Sequence, residues 1–111
     1  MQIKIELYVT EEGKVPFSEW LQSLKDRKTR AKIRVRLDHV RLGNLGNNKF
    51  LGNWIYELKI DYGPGYRIYY GQAGKKIILL LLGGEKKRQQ SDIKQAQKYW
   101  ADYRRRENEG N

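Results

Sequence analysis

The stretch from Trp54 to Tyr70, WIYELKIDYGPGYRIYY, constrains the fold of this chain most strongly. Two runs of aromatic and β-branched residues flank a loop that contains Gly63, Pro64 and Gly65, a pattern typical of a β-hairpin with a short connection. The first run changes character at every second residue, which predicts a strand with one buried and one exposed face. The predicted buried residues are Trp54, Tyr56, Leu58 and Ile60, and the predicted exposed residues are Ile55, Glu57, Lys59 and Asp61.

The hairpin also predicts which side chains lie opposite each other on its two strands. In the register we expect, Lys59 lies opposite Arg67 and Glu57 lies opposite Tyr69. That register gathers an amine, a guanidinium, a carboxylate and a phenol on one face of the sheet, which we expect to be open. Such a combination can bind a phosphodiester and move its protons.

The composition narrows the class of protein. A chain of 111 residues predicts one domain, which we place at residues 1–106, with a frayed tail at residues 107–111. There is no cysteine and only one histidine, His39, which we place on the surface, so we expect no metal and no cofactor. The net charge of +10 predicts an anionic partner such as a nucleic acid. We expect a cytoplasmic protein, because no apolar run is long enough for a bilayer and the N-terminus is too charged for a signal peptide.

The N-terminal part of the sequence predicts one strand followed by two helices. Residues 3–9 alternate apolar and polar side chains, as in a half-buried strand. Pro16 suits the first turn of a short amphipathic helix, and Asp26 and Gly43 suit the start and the end of a second one. The second helix carries two rows of cations that either face phosphates or form an ordinary solvated surface. The cations that we expect to contact RNA are Arg30, Lys32, Arg34 and Arg36.

The C-terminal part predicts a loop, the hairpin, one further strand and a last helix. Residues 43–53 are rich in Gly and Asn and predict the loop, and the apolar run at residues 77–82 predicts a strand covered on both faces. Ser91 or Asp92 can cap the last helix. The residues that form its apolar stripe are Ile93, Ala96, Trp100 and Tyr103. The order β-α-α-β-β-β-α predicts an α+β domain, in which a small antiparallel sheet carries two N-terminal helices and a C-terminal helix on one side.

Three stretches, YELKIDYGPGYRIYYG, IILLLLGGEKKRQQSDIKQAQKYWADY and PFSEWLQSL, resemble the RelE/HigB/ParE toxin superfamily. The resemblance is to its branch of addiction-module killer proteins, which are phage-derived and HigB-like, and it covers the chain from Ile3 to Tyr103. It implies a RelE-like fold and a type II toxin that cleaves mRNA in the ribosomal A site. It also implies a cognate antitoxin from the same operon, expected to have a helix-turn-helix fold. A ParE-like inhibitor of DNA gyrase without nuclease activity and a basic RNA-binding module are the alternatives.

The resemblance also implies a catalytic set that is basic rather than metal-bound. It assigns Arg67, in the Gly-Tyr-Arg of the hairpin, and Lys59, in the Tyr-x-x-Lys of the preceding strand. A further catalytic cation is implied in the turn after the apolar strand, where Lys86 and Lys87 are the candidates and Arg88 is a candidate RNA contact.

The chemistry of RNA cleavage assigns roles to these groups. A ribonuclease without a metal needs a base for the 2′-hydroxyl, cations for the phosphorane and an acid for the leaving oxygen. Arg67 suits the second role because its planar fork grips two phosphate oxygens. Either Lys59 or Glu57 can be the base, and the resemblance favours Lys59. Tyr62 or Tyr69 can stack on an unpaired base. The alternative is that Glu57 and Arg67 form only a cross-strand ion pair.

Overall fold

Helices cover both faces of a five-stranded mixed sheet in the computed structural model, which describes residues 2–110. Its strands are β1 (Lys4–Leu7), β2 (Asn48–Gly52), β3 (Ile55–Ile60), β4 (Tyr66–Gln72) and β5 (Ile77–Glu85). Its helices are α1 (Pro16–Ser23), α2 (Arg27–Arg41) and α3 (Gln89–Glu109), and a 3-10 turn at Lys86–Arg88 leads into α3. The predicted α+β class is therefore confirmed.

The sheet has the strand order β1-β5-β4-β3-β2, and it is mixed rather than antiparallel. β1 runs parallel to β5, with Lys4 opposite Ile77, whereas the other neighbouring strands are antiparallel. The prediction of a purely antiparallel sheet is wrong, because a parallel pair is joined by a long crossover that leaves no local signal in the sequence. Here the crossover contains α1, α2 and the strands β2, β3 and β4.

β2 lies inside the segment 43–53 that its composition predicts as a loop, so the predicted element order lacks one strand. The Gly and Asn content of this segment hides a hairpin with β3, whose turn is formed by Asn53 and Trp54. These two residues have φ angles of 51° and 65°, which is the left-handed conformation that closes a two-residue hairpin turn. Trp54, which alternation predicts in the core, therefore lies in a turn and is 56% exposed.

One face of the sheet packs against α1 and α2. The predicted start of α2 is confirmed, because the Asp26 side chain accepts a hydrogen bond from the Lys28 N–H at 3.2 Å. The exposed position of His39 is confirmed as well. The buried residues on this side are Phe17, Ile33, Leu37, Val40, Leu58, Ile60, Tyr66, Ile68, Tyr70, Ile78 and Leu80.

The other face packs against α3, so the expectation that helices cover only one side is wrong. The buried residues on this side are Tyr8, Ile55, Tyr69, Leu79, Leu81, Ala96 and Trp100. Ile55 belongs to the set that alternation assigns to the exposed face of its strand, and Tyr8 occupies one of the polar positions in the alternation of residues 3–9. They are buried because the apolar stripe of α3 packs against this face and covers their side chains.

α3 is longer than predicted at both ends. It begins at Gln89, directly after the 3-10 turn, so neither Ser91 nor Asp92 is its N-cap. It continues to Glu109, so residues 107–109 of the predicted tail are helical. Residue 1 of the predicted domain and residue 111 of the predicted tail lie outside the described residues. No helix within residues 2–110 is long and apolar enough to cross a bilayer.

Two glycines allow tryptophan rings to lie directly on the sheet. A Cβ at Gly71 would overlap the ring of Trp100 in α3, and a Cβ at Gly83 would overlap the ring of Trp20 in α1. The two contacts lie on opposite faces of the sheet, so on each face a glycine allows a helix to pack closely against the strands.

Candidate functional site

The predicted register of the β3–β4 hairpin is confirmed, with Lys59 opposite Arg67 and Glu57 opposite Tyr69. These four side chains share the face of the sheet that α3 covers. Glu57 and Tyr69 are fully buried and Arg67 is 5% exposed, whereas Lys59 is half-buried. The prediction that Glu57, Arg67 and Tyr69 lie on an open face is therefore wrong, because alternation separates two faces without revealing whether a helix covers them.

Glu57 and Arg67 form a buried ion pair beneath the first turn of α3. Arg67 Nε lies 3.8 Å from Glu57 Oε1. Gln89 Nε2 donates a hydrogen bond to the same carboxylate oxygen at 2.5 Å, and Arg67 Nη1 donates to the Tyr66 carbonyl at 3.0 Å. The ion pair that the sequence allows as an alternative to catalysis is thus present. Because it is buried, removal of one partner should cost more folding stability than removal of one partner from a surface pair.

Asp92 lies next to this ion pair, on the inner side of α3. It sits over Gly84, the residue opposite Arg67 in β5, where a Cβ would collide with Asp92 Oδ2. Burial raises the pKa of the Asp92 carboxyl, and the nearby Arg88 charge opposes this shift only in part. We refer to the whole group as the buried polar cluster, which comprises Glu57, Arg67, Tyr69, Gln89 and Asp92.

Four polar atoms of this cluster have no hydrogen-bond partner within residues 2–110. They are Glu57 Oε2, Arg67 Nε, Tyr69 Oη and Asp92 Oδ2. Burial raises the pKa of the Tyr69 phenol, and the charges of Glu57 and Asp92 raise it further. Buried polar atoms are nearly always paired, so a concentration of unpaired atoms and shifted pKa values is typical of a functional site.

A cationic cleft of about 530 Å³ opens beside the cluster, at the 3-10 turn and the first turns of α3. Its charged residues are Lys86, Lys87, Arg88 and Lys94. Gln89 also lines this cleft while its amide contacts Glu57, so it forms the wall between the cleft and the buried polar cluster. The positive end of the α3 dipole lies at the same place, so the cleft suits a phosphate group.

A second cleft of about 490 Å³ reaches the cluster from the side of α1, between Trp20 and the start of α3. Arg88 lines both clefts, and Asp92 lines the second one. Within residues 2–110, no group of three or more His, Cys, Asp or Glu side chains is placed to hold a metal ion.

Sequence reasoning missed Gln89 and the burial of Asp92. A signal for Asp92 does exist, because it precedes Ala96 and Trp100 at spacings of four and eight residues and so shares their buried stripe.

The α2 cations predicted to bind RNA lie on the opposite side of the sheet and do not join the cluster. Arg30 Nη1 donates to the Leu24 carbonyl, and Arg36 Nη2 donates to the Asn47 carbonyl at 3.0 Å. These two arginines therefore fix the segments before and after α2. Arg34 is exposed.

The two candidate stacking tyrosines differ in their accessibility. Tyr69 is fully buried, so the prediction that it stacks on an RNA base is wrong. Tyr62 is half-buried, and Lys32 Nζ lies 5.4 Å from its ring centroid. That cation–π contact places Lys32 and Tyr62 together, away from the buried polar cluster.

No family model matches this sequence. A protein of Haemophilus influenzae strain Rd that is described as uncharacterized is 42% identical over 80 residues, which cover 72% of this chain and 81% of that protein. The chain belongs to the family of that protein. The name of this Haemophilus relative assigns no activity to the family, so a function has to be argued from the chemistry of the site.

The raised pKa of Asp92 predicts a specific dependence of stability on pH. The folded state holds the Asp92 proton more tightly than the unfolded state, whose carboxyl titrates near pH 4. The stabilisation is complete below that pH and is lost as the pH rises through the folded pKa. Relative to Asp92→Asn, the wild-type protein is therefore expected to lose stability across this interval in urea unfolding at a series of pH values.

Asp102→Asn is the matched control, because its effect should have the opposite sign. Hydrogen bonds, first from Tyr8 and then from Arg106, hold the pKa of Asp102 below its usual value. Its contribution to stability is present above the unfolded pKa and is lost as the pH falls through the folded one. Parallel stability curves for wild type and Asp92→Asn would contradict the assignment of Asp92.

Proposed function

We propose that this protein is the toxin of a type II toxin–antitoxin module, a metal-independent endoribonuclease that cleaves mRNA on the ribosome. It acts in the cytoplasm and is held inactive by a cognate helix-turn-helix antitoxin from the same operon. The observation that carries the proposal is the cross-strand row of Lys59, Arg67 and Gly84 on β3, β4 and β5. This cross-strand row ends beside the cationic cleft. The resemblance to the RelE/HigB/ParE superfamily supports the same function.

The cross-strand row and the cationic cleft lie at the same end of the sheet. Gly84 is opposite Arg67 on the side away from Lys59, and only one residue separates Gly84 from the 3-10 turn. The Lys86 N–H donates to the Gly65 carbonyl at 2.9 Å, which ties the turn to the loop before β4. Neighbouring strands are about 5 Å apart, so about 10 Å separates the backbones of Lys59 and Gly84, a span that a phosphodiester between flexible cations can bridge.

Among the candidate residues, Lys59 and the turn cations are accessible to a substrate. We assign Lys59 as the general base that takes the 2′-hydroxyl proton and the cations of the turn as the groups that stabilise the phosphorane. The ammonium of Lys86 or Lys87 is the acid that protonates the leaving 5′-oxygen. Lys86, Lys87 and Arg88 are exposed, so they can reach an RNA strand without a rearrangement of the fold.

Glu57 and Arg67 act behind this surface. Glu57 is a poor base because it is fully buried and its Oε1 already faces both Arg67 and Gln89. Arg67 is a positioning residue, since it holds Glu57 and thereby the Gln89 wall of the cationic cleft.

The burial of the Glu57–Arg67 pair favours a second candidate function. A ParE-like inhibitor of DNA gyrase binds its target without chemistry and needs no accessible base. Under this alternative the cationic cleft is a docking surface, and the ion pair only stabilises the fold.

Induced expression followed by mapping of mRNA 5′ ends on translating ribosomes distinguishes the two functions. We expect new ends for wild type and single-turnover cleavage that is on the order of 10²-fold slower or worse for Lys59→Ala and for Lys86→Ala combined with Lys87→Ala. Lys14→Ala, at an exposed turn away from the site, is the matched control and should cleave normally. Arrest of DNA replication without new mRNA ends would favour the gyrase inhibitor.

A chelator provides an independent test of the mechanism. Cleavage by side chains alone should persist when free divalent ions are removed, provided that ribosome integrity is maintained separately. A strict requirement for an added transition metal would contradict the proposed mechanism.

A further inference from the structure

A third cleft, of about 640 Å³, lies at the opposite end of α3 from the cationic cleft. It is lined by the β2–β3 turn, by the connection between β4 and β5, and by the C-terminal half of the helix. The lining residues that matter for its chemistry are Trp54, Lys75, Trp100, Tyr103, Arg104 and Glu107. We call it the tryptophan cleft.

The turn that carries Trp54 has an unfavourable backbone. Two-residue hairpin turns of this kind favour Asn followed by Gly, yet here Trp54 occupies the glycine position with φ 65° and leaves 56% of its surface exposed. α3 holds the turn in place, because Trp100 Nε1 donates to the Asn53 carbonyl at 2.8 Å and Arg104 Nη1 donates to Asn53 Oδ1 at 3.1 Å. The Trp54 ring meets the Phe50 ring edge-on, with centroids 6.5 Å apart, yet more than half of the residue stays exposed. A strained residue that leaves so much apolar surface in solvent is typical of a residue kept for binding.

The other wall of the tryptophan cleft combines aromatic and cationic groups. The rings of Trp100 and Tyr103 are stacked, with centroids 5.6 Å apart and planes 8° apart, and the Arg104 guanidinium lies 5.9 Å from the Trp100 ring. Lys75 supplies a second cation, and Glu107 is the acidic group that lines the cleft. Aromatic faces beside cations suit a ligand that is planar at one end and anionic at the other, as a nucleotide is.

One solvent-facing stripe of α3 connects the tryptophan cleft to the cationic cleft. At 3.6 residues per turn, its exposed members are Gln90, Lys94, Gln97, Ala101, Arg104 and Asn108. None of these six residues is acidic. The stripe runs from Gln90 in one cleft to Arg104 in the other, a distance of about 21 Å along the helix. A polyanion can therefore follow α3 from one cleft to the other without passing a carboxylate on the stripe.

We propose that the tryptophan cleft holds an unpaired nucleotide of single-stranded RNA, with its base on Trp54 and its phosphate between Lys75 and Arg104. The choice of RNA rests on the proposed function, whereas the aromatic and cationic walls do not. The cleft holds the strand at a second point, remote from the groups assigned to cleavage.

Binding of a fluorescently labelled single-stranded RNA, measured by anisotropy in the Lys59→Ala background to prevent cleavage, tests this proposal. Trp54→Ala should weaken binding by about 5- to 150-fold, the scale of one lost stacking contact, and Trp54→Phe should retain most of the affinity. Val35→Ala is the matched control, because Val35 is a similarly exposed apolar residue of α2, on the other face of the sheet, and does not line the cleft. It should bind normally.

Trp54→Gly separates binding from stability. Glycine suits the positive φ, so this variant should unfold at a temperature a few degrees higher than wild type while binding RNA as weakly as Trp54→Ala. A lower unfolding temperature would mean that Trp54 is structural and would overturn the proposal. Unchanged affinity of Trp54→Ala, equal affinity for duplex RNA, or a clear preference for single-stranded DNA would overturn it as well.

The two proposals fail in different ways. RNA binding that depends on Trp54, in a protein that produces no new mRNA ends, would leave the tryptophan cleft intact and remove the nuclease. Normal cleavage with no role for Trp54 would do the reverse.

Discussion

Arg67→Ala is expected to destabilise the protein by about 3–5 kcal/mol, because it leaves the carboxylate of Glu57 buried without its counter-charge. Glu57 has no exposed surface, so water cannot replace the guanidinium unless the packing of α3 changes. The unfolding free energy from urea denaturation of purified protein measures this effect. The variant Arg34→Ala removes an exposed arginine instead and should change stability by less than about 0.5 kcal/mol.

A paired replacement separates the charge from the packing. Glu57→Leu together with Arg67→Met removes both charges and keeps similar volume, so it should recover most of the stability that either single change loses. Additive losses in the double variant would contradict a direct coupling of the two residues. The outcome also bears on the proposed function, because any loss of toxicity in Arg67→Ala would report on folding as much as on the proposed catalysis.

Gly71→Ala is expected to cost about 1–3 kcal/mol or more, because the new methyl group overlaps the ring of Trp100. Trp100 is 3% exposed, and its Nε1 is held by the Asn53 carbonyl, so the ring has no free space into which to move. In a Trp100→Leu background the same alanine should cost much less, which a double-mutant cycle in urea would reveal.

Gly83→Ala provides the matched comparison on the other face of the sheet. Its methyl group meets the ring of Trp20 in the same way, but Trp20 is only half-buried and can turn toward solvent. We therefore expect a smaller loss than for Gly71→Ala. Equal losses at the two glycines would show that mobility of the tryptophan does not determine the cost.

Local patterns predict the parts of the fold that depend on neighbouring residues. The alternation on either side of Gly63 and Gly65 was sufficient for the register of Lys59 and Arg67, because a short loop leaves few ways to pair two strands. The cap at Asp26 and the apolar strand at residues 77–82 follow from similar short-range rules.

What the sequence concealed depends on contacts between distant segments. Glu57 and Arg67 look like residues of a solvated face, and only the packing of α3 reveals that they are buried. β2 was hidden because Gly and Asn dominate its flanks and because a tryptophan occupies a turn position that usually belongs to glycine. The candidate site is accordingly a buried polar cluster behind an exposed cationic cleft, and not the open sheet face that alternation predicts.

The parallel pairing of β1 with β5 determines when the sheet can be completed. About 70 residues separate Lys4 from Ile77, whereas the β3–β4 hairpin closes over a short loop. The entropic cost of closing a loop rises by about 0.6 kcal/mol for each doubling of its length, so β1 docks late in folding. During synthesis β1 leaves the ribosome before β5 and stays unpaired until β5 has followed. β1 is thus made before the other strands of the sheet and placed after them, and the sheet is complete only once β5 has been translated.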